Sequence, residues 1–145
     1  MRIDLPQLSK IAIEAALSSG KVIQQYRKKD LAVEKKEVGT SAASQVVTEV
    51  DKKCEQAILA HLLPTCEAFG LALLSEETED DASRFEKDFF RCIDPLDGTL
   101  PYIQKRAGFS VSISLVDKDG TPYIGVIFNP ANNNLYHAVR GIGAF

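Results

Sequence analysis

Acidic residues that directly follow short apolar runs are the features of this sequence best suited to chemistry. Asp94 and Asp97 follow the mostly apolar run 89–93, and Glu76 follows the apolar run 71–74. Carboxylates that are forced together repel one another unless cations separate them, and carboxylate oxygens are ligands that Mg²⁺ prefers. The pattern therefore predicts a magnesium site at the ends of two strands.

The six residues from Asp94 to Thr99 form one unit with a physical logic of its own. Pro95 fixes φ and stiffens the turn between two candidate ligands, and Gly98 lets a phosphate approach the backbone. Thr99 can open a helix whose free N–H groups attract anions. Taken alone, the same residues also suit an ordinary turn followed by a helix N-cap. The other acids of the chain favour the chemical interpretation.

Asp51 is a further candidate, and its spacing leaves two interpretations open. Thr48 and Asp51 have the spacing of a capping box, in which a carboxylate reaches back to an N–H group at the start of a helix. The same carboxylate can also serve a catalytic site, and the two roles are compatible. Spacing alone favours the cap.

Several other titratable residues are expected to be structural or exposed. Four further acids are expected to do no more than solubilise a loop: Glu77, Glu79, Asp80 and Asp81. His61 and His137 have no acid or nucleophile at a spacing that would indicate a catalytic pair, so both are expected to be structural or surface residues.

The elements that must position these residues begin with helices. Apolar residues within 5–26 recur at spacings of three and four and predict a long amphipathic helix, which Asp4 can cap. The range 34–45 lacks periodicity and is expected to be a mobile surface loop. A short strand at 46–47 and a second helix at 48–64, closed by its proline, are expected to follow.

The rest of the chain predicts strands. They are expected at 71–74, 89–93, 109–115, 123–128 and 135–139. The third alternates apolar and hydroxyl residues with period two, as a strand with one buried face does. Turn residues at 117–120 and 129–134 join the last three strands into a meander. Two helices packed on a mostly antiparallel sheet make an α+β fold.

Composition excludes several classes of protein. The 145 residues, 45% of them apolar, can bury one core, so a single domain at 1–145 is predicted. A net charge of -3, mixed along the chain, predicts no nucleic-acid polymer as partner. Three cysteines without paired spacing, no leader-like start and no apolar stretch of ~20 residues predict a cytoplasmic protein with no membrane partner.

Three motifs in sequence resemble those of the inositol monophosphatase family, whose superfamily also includes bisphosphate nucleotidases. Residues 47–51 resemble V-T-x-x-D, residues 74–78 resemble G-E-E-S/T, and residues 94–99 match D-P-I/L-D-G-T. The resemblance implies a layered, sugar-phosphatase-like fold, Mg²⁺ as cofactor and inhibition by Li⁺. It also implies a small phosphate ester as substrate, such as inositol monophosphate or 3′-phosphoadenosine 5′-phosphate.

The resemblance also assigns metal ligands. Glu76, Asp94 and the main-chain carbonyl of Leu96 would hold a first Mg²⁺ ion, and Asp94 and Asp97 would share a second. A third, weaker ion would touch Glu76. Such ions lower the pKa of water and neutralise charge on a leaving oxygen, so no protein nucleophile is required.

Water and phosphate would be held beside these ligands. Asp51 with Thr99 would orient the attacking water, and the N–H groups of Gly98 and Thr99 would hold the phosphate. Two departures from the family pattern stand out. Ser75 replaces the usual glycine, and residues 100–102 differ from the triplets that follow D-G-T in monophosphatases and nucleotidases, which leaves the substrate open.

Members of this family are nearly twice as long as this chain, and their second half supplies one more aspartate in a W-D-x-A/G segment. The chain therefore resembles the N-terminal metal-binding half, with the C-terminal α/β half absent. Unpaired strand edges and uncovered apolar faces promote association. A homodimer or other self-association is expected.

Two alternatives remain beside the phosphomonoesterase. A haloacid-dehalogenase-type phosphatase also carries a D-G-T-L sequence after a strand, but its nucleophile would fall at Pro95, and Asp94 lies one residue too far away. The other alternative is a non-catalytic metal-binding or assembly half-domain, which would keep the acids without turnover. Release of phosphate from a small phosphomonoester in the presence of Mg²⁺ distinguishes the phosphomonoesterase from the non-catalytic half-domain.

Overall fold

The computed structural model describes residues 3–34, 40–97 and 108–145, and for 28–34 and 40–48 it describes the backbone alone. Within these ranges two long helices, α1 (Leu5–Glu34) and α2 (Thr40–Phe69), precede a six-stranded sheet. The strands are β1 (Ala72–Ser75), β2 (Phe89–Asp97), β3 (Ser110–Asp117), β4 (Pro122–Asn129), β5 (Asn134–Val139) and β6 (Gly143–Ala144). They lie side by side in chain order.

The direction of the strands matches the predicted α+β class. β1 pairs with β2 in parallel, and each later neighbouring pair in the described sheet is antiparallel. A short 3-10 helix at Ser83–Phe85 lies in the connection between β1 and β2. The prediction of two helices packed on a mostly antiparallel sheet is confirmed.

The core lies between the helix pair and one face of the sheet. Alternate residues of β3 and β4 are buried there, as period-two patterning requires. Fully buried members include Leu8, Ile23, Val50, Ile58, Leu62, Val111, Ile113, Leu115 and Val126. Each such aliphatic side chain contributes about 1.5–3 kcal/mol when removed from water. Among the described residues, neither long helix contains an apolar stretch that would span a bilayer.

The start of α1 is fixed by the predicted cap and by an unexpected arginine. The Gln7 N–H donates to Asp4 Oδ1 at 3.0 Å, which confirms Asp4 as the N-cap. Arg91 of β2 is fully buried and donates from Nη2 to the Leu8 carbonyl at 2.9 Å. Burial lowers the pKa of Arg91 to about 10. This bond ties the sheet to the first turns of α1.

The predictions for α2 were wrong at both ends. The expected loop at 34–45 and strand at 46–47 are replaced from Thr40 onward by helix, while 35–39 lie outside the described residues. The two valines stand three and four residues before Val50, so they also fit the helical period. Pro64 does not end the helix, which continues to Phe69. Thr65 is buried, and Phe69 packs against the core, so tertiary contacts hold this last part of the helix in place.

Two strand predictions also needed correction. β2 does not end at Ile93 but runs through Asp97, so the first part of the acidic hexapeptide belongs to the strand. The strand predicted at 135–139 is also not the last, because Gly143–Ala144 adds a short edge strand beside β5. The other predicted strands are confirmed to within two residues at each end.

Gly20 sets how closely α1 approaches the sheet. It is buried on the helix face that packs on β4, and a methyl group added there would overlap the ring of Phe128. The absence of a side chain at this position therefore lets the helix backbone lie directly on an aromatic residue of the core.

We expect Gly20→Ala to destabilise the fold by about 1–3 kcal/mol, the usual cost of overpacking a core. In an open helical site the same change would stabilise by about 1 kcal/mol, since alanine is the better helix former. Urea unfolding of the variant measures the sign. Lys21→Ala, at the adjacent exposed position, is the control and should stay within about 0.5 kcal/mol. A stabilised Gly20→Ala variant would contradict this packing.

Candidate metal centre

The parallel pairing of β1 with β2 brings two predicted ligands to the same edge of the sheet. The strands pair in register up to Ser75 opposite Ile93, and the Glu76 N–H donates to the Ile93 carbonyl at 3.3 Å. Glu76 and Asp94 directly follow Ser75 and Ile93, the last paired residues of the two strands. A hydrogen bond with Glu76 helps to raise the pKa of Asp94, so the two side chains are in contact.

An irregularity in β2 presents the acids of the hexapeptide. Its pairing with β3 passes from Asp94 opposite Ser112 to Asp97 opposite Ser110, so β2 contains one extra residue. Such a bulge accommodates Pro95, which has no N–H for the ladder. Asp94 is half-buried and accepts a hydrogen bond from the Leu96 N–H at 3.3 Å.

Leu96 and Asp97 complete this segment. The Leu96 side chain is buried in the core, whereas Asp97 is exposed at the end of the strand. The core therefore anchors the backbone between the two aspartates, which fixes the region of the predicted Leu96 carbonyl ligand.

Asp51 reaches the same acids from α2. Its side chain is 9% exposed, and Oδ1 has no hydrogen-bond partner in the described part of the protein. Burial, together with the negative charges of Glu77 and Glu76, raises the pKa of Asp51 to about 7. Thr48 lies inside α2 and not at its start, so the capping-box interpretation is wrong.

The electrostatics of the site are those of crowded carboxylates. Burial, a hydrogen bond with Glu76 and the charges of Glu76 and Asp97 together raise the pKa of Asp94 to about 7. The pKa of Glu77 is also raised, by burial and by the charges of Glu76 and Glu55. Glu77 is exposed, as expected for a loop acid, but its charge belongs to this cluster. Like charges held together favour either protons or a bound cation.

The structure brings together four of the predicted site residues and leaves two undescribed. Glu76 helps to raise the pKa of both Asp51 and Asp94, Asp97 helps to raise that of Asp94, and Leu96 lies between Asp94 and Asp97. Gly98 and Thr99 fall outside the described residues.

The two histidines have structural contacts elsewhere. His61 Nε2 lies 2.9 Å from Ser18 Oγ between the helices, and the His137 ring stacks on Phe145 with centroids 5.2 Å apart. Neither histidine contributes to the raised pKa values of Asp51 and Asp94. These contacts agree with the structural role expected for both residues.

Glu55 is a site neighbour that sequence reasoning did not single out. Its two carboxylate oxygens accept hydrogen bonds from Ser75 and Thr78, the residues on either side of Glu76 and Glu77. The available signal was its position four residues after Asp51, which places both acids on one face of a helix.

The donor set can be tested for its fit to a metal. Oxygen donors alone, several of them anionic, suit a hard divalent cation such as Mg²⁺. Asp51 Oδ1 has no partner in the described ranges, and burial with neighbouring acids raises the pKa values of Asp51 and Asp94, as expected for carboxylates without a compensating cation. No three acids, histidines or cysteines of the described ranges form a ready-made cluster for a metal ion. The fit therefore lies in donor type and charge, not in a preformed coordination shell.

Fold and site together define an α+β protein with a carboxylate centre where a parallel strand pair meets a helix. The family model for the inositol monophosphatase family matches residues 4–145. This chain belongs to the inositol monophosphatase family.

Individual relatives agree with this assignment. Inositol monophosphatase 2 of Solanum lycopersicum is 37% identical over 142 residues, covering 93% of this chain and 49% of the relative. Nus factor SuhB of Haemophilus influenzae is 36% identical, covering 92% of this chain and 48% of the relative. The crystal structure of CysQ from Bacteroides thetaiotaomicron aligns with a TM-score of 0.77 at 35% identity, over 95% of this chain and 48% of that one. The chain thus spans about half the length of these relatives.

The crowded acids predict an unusual pH dependence for the metal-free protein. Asp51 and Asp94 change from an ordinary pKa of 3.8 to about 7 on folding, so the folded state binds more protons between these values. Stability should therefore fall as the pH rises from about 5 to about 7 and level off above that. The lowered pKa values of Asp80 and Asp81 act below this window, where their contribution is lost on acidification.

Thermal unfolding at pH 5, 6, 7 and 8 in a chelator checks this prediction. The pH dependence should weaken in the Asp51→Asn/Asp94→Asn variant, because its amides do not titrate, but not in Asp119→Asn, whose acid is in the exposed β3–β4 turn. Mg²⁺ should recover stability at pH 8 in the wild type. Stability that rises steadily to pH 8 without metal would contradict the crowding.

Proposed function

We propose that this chain carries the metal-binding part of a Mg²⁺-dependent phosphomonoesterase. The observation that carries the proposal is the pair of aspartates beside Glu76, the buried Asp51 and the half-buried Asp94, whose pKa values are both raised to about 7. Perturbed carboxylates of this kind cluster at functional sites. Membership of a family whose relatives are named inositol monophosphatases supports phosphate ester hydrolysis.

The residues divide into ligands and a water-binding group. Glu76, Asp94, Asp97 and the Leu96 carbonyl would hold Mg²⁺. When bound, Mg²⁺ supplies positive charge that stabilises the phosphate oxygens and lowers the pKa of the attacking water. Asp51 Oδ1, with no other partner among the described residues, accepts a hydrogen bond from that water and so orients it.

The proposed substrate class rests on the resemblance of residues 94–99 to the family motif, which includes a phosphate-binding segment. By resemblance, Gly98 and Thr99 hold the phosphate through their N–H groups. A small phosphorylated polyol or nucleotide is therefore the proposed substrate, and inositol monophosphate and 3′-phosphoadenosine 5′-phosphate are the two candidates. Phosphate release from a panel of both esters in Mg²⁺ distinguishes them, with Li⁺ expected to inhibit and Ca²⁺ expected to replace Mg²⁺ without supporting turnover.

We expect Asp94→Asn to lower Mg²⁺-dependent phosphate release at least about 100-fold, because the residue would serve two metal ions. Without metal, the variant should be at least as stable as the wild type, since it relieves repulsion with Glu76. Phosphate release, Mg²⁺ titration calorimetry and thermal unfolding measure the three quantities. Asp119→Asn removes an equal charge from the exposed β3–β4 turn and should leave all three unchanged. Wild-type turnover by Asp94→Asn would refute the site.

A second candidate function is a non-catalytic assembly module that pairs with another copy of itself. The sheet face opposite the helices exposes Ile127 and Tyr136, which stand directly opposite each other in the β4–β5 register. They are 47% and 57% exposed, and with Phe145 they line a largely apolar depression. Exposed apolar patches of this kind promote association, and no charged side chain lines this one.

On this second proposal, we expect the chain to form dimers or larger species at micromolar concentration. The Ile127→Ser/Tyr136→Ser variant should shift it toward the monomer, as measured by light scattering with size-exclusion chromatography. Phe85→Ser removes an apolar side chain that is 63% exposed elsewhere and should leave the distribution unchanged. A monomeric wild type that releases phosphate would exclude the assembly module.

A further inference from the structure

Glu55 connects α2 to the turn that carries two acids of the site. The Ser75 hydroxyl donates to Glu55 Oε2 at 2.7 Å, and the Thr78 hydroxyl donates to Glu55 Oε1 at 2.9 Å. Hydrogen bonds to an ionised acceptor are stronger than those between neutral groups. One carboxylate therefore holds both ends of the turn 75–78.

The turn depends on this carboxylate because its own backbone bonds are long. The Thr78 N–H donates to the Ser75 carbonyl at 3.3 Å, and the Glu76 N–H donates to the Ile93 carbonyl at the same length. Both distances exceed the usual 2.7–3.2 Å of a peptide hydrogen bond. The two bonds to Glu55, at 2.7 and 2.9 Å, are thus shorter than both of these backbone bonds.

Glu55 also shares a helix face with Asp51, one turn away. The same stretch of α2 therefore presents Asp51 to the acids and fixes the turn that carries Glu76. Any rotation of the turn about the end of β1 would change the separation of these two carboxylates. Ser75 matters here in its own right, since a glycine at that position would have no hydroxyl to donate.

We propose that Glu55 is a positioning residue that sets the orientation of Glu76 relative to Asp51 for Mg²⁺ binding. This inference rests on the proposed function, and Glu55 itself touches neither metal nor substrate in it. Groups that orient metal ligands commonly affect metal affinity 10- to 100-fold. Glu55 acts chiefly through the two hydrogen bonds that its carboxylate accepts, and its charge has the smaller effect.

Two substitutions of Glu55 separate the hydrogen bonds from the charge. Glu55→Ala removes both and should weaken Mg²⁺ binding about 10-fold or more by titration calorimetry at 25 °C. Glu55→Gln keeps the shape: its amide oxygen can accept from one hydroxyl while its amide nitrogen donates to the other. It should bind Mg²⁺ within about 3-fold of the wild type. Glu67→Ala removes a charge from an exposed position on the same helix and should change nothing.

The hydroxyl donors provide the reciprocal test. Ser75→Ala/Thr78→Val removes both donors and should weaken Mg²⁺ binding about as much as Glu55→Ala. Combining all three changes should add little further loss, because the groups act as one unit. Equal weakening by Glu55→Gln and Glu55→Ala would show that charge matters and overturn the inference, as would wild-type affinity in Glu55→Ala.

Hydrogen exchange keeps this test independent of the proposed function. In Glu55→Ala the amides of Glu76 and Thr78 should exchange at least about 10-fold faster, whereas Glu67→Ala should leave them unchanged. If the wild type binds no Mg²⁺, the proposed function fails, while faster exchange still establishes that Glu55 holds the turn. Unchanged exchange in Glu55→Ala would overturn the inference whatever the metal titration gives.

Discussion

Repulsion between carboxylates is the constraint on which the arrangement of this protein depends. Asp51 comes from α2, Glu76 directly follows β1, and Asp94 lies in β2. Burial, together with the negative charge of Glu76, raises the pKa of both aspartates to about 7. When ionised, these carboxylates repel one another. The separation of these acids is therefore maintained by the packing of the elements that carry them, and the energy of that packing must exceed the cost of crowding.

Three features of the fold meet this constraint. The in-register parallel pair of β1 and β2 ends with Glu76 beside Asp94. Helix α2 is held against the sheet by a buried apolar face, and it brings Asp51 to the same edge. The α1 helix closes over the far side of the core, where Gly20 permits direct contact with Phe128. The acidic centre is thus the exposed end of an otherwise apolar assembly.

The sequence predicted much of this arrangement because the relevant signals were local. Period-two alternation located β3, and acids after short apolar runs located Glu76 and Asp94. Local signals failed where distant packing decides: the valine pair before Thr48 resembled a strand, and Pro64 resembled a helix end, yet both lie within α2. Glu55 was missed because its partners are twenty or more residues away in sequence.

The bulge in β2 has an evolutionary consequence for this segment. Because side chains alternate between the two faces of a strand, loss or gain of one residue reverses the face of every residue beyond it. Within the described part of β2, the extra residue between Asp94 and Asp97 offsets this alternation once. A deletion there would make the ladder regular with Asp97 still opposite Ser110, but it would remove the residue that lengthens the backbone between the two aspartates. Single residues of this segment can therefore be substituted during evolution, whereas a change in its length would alter the separation of Asp94 and Asp97.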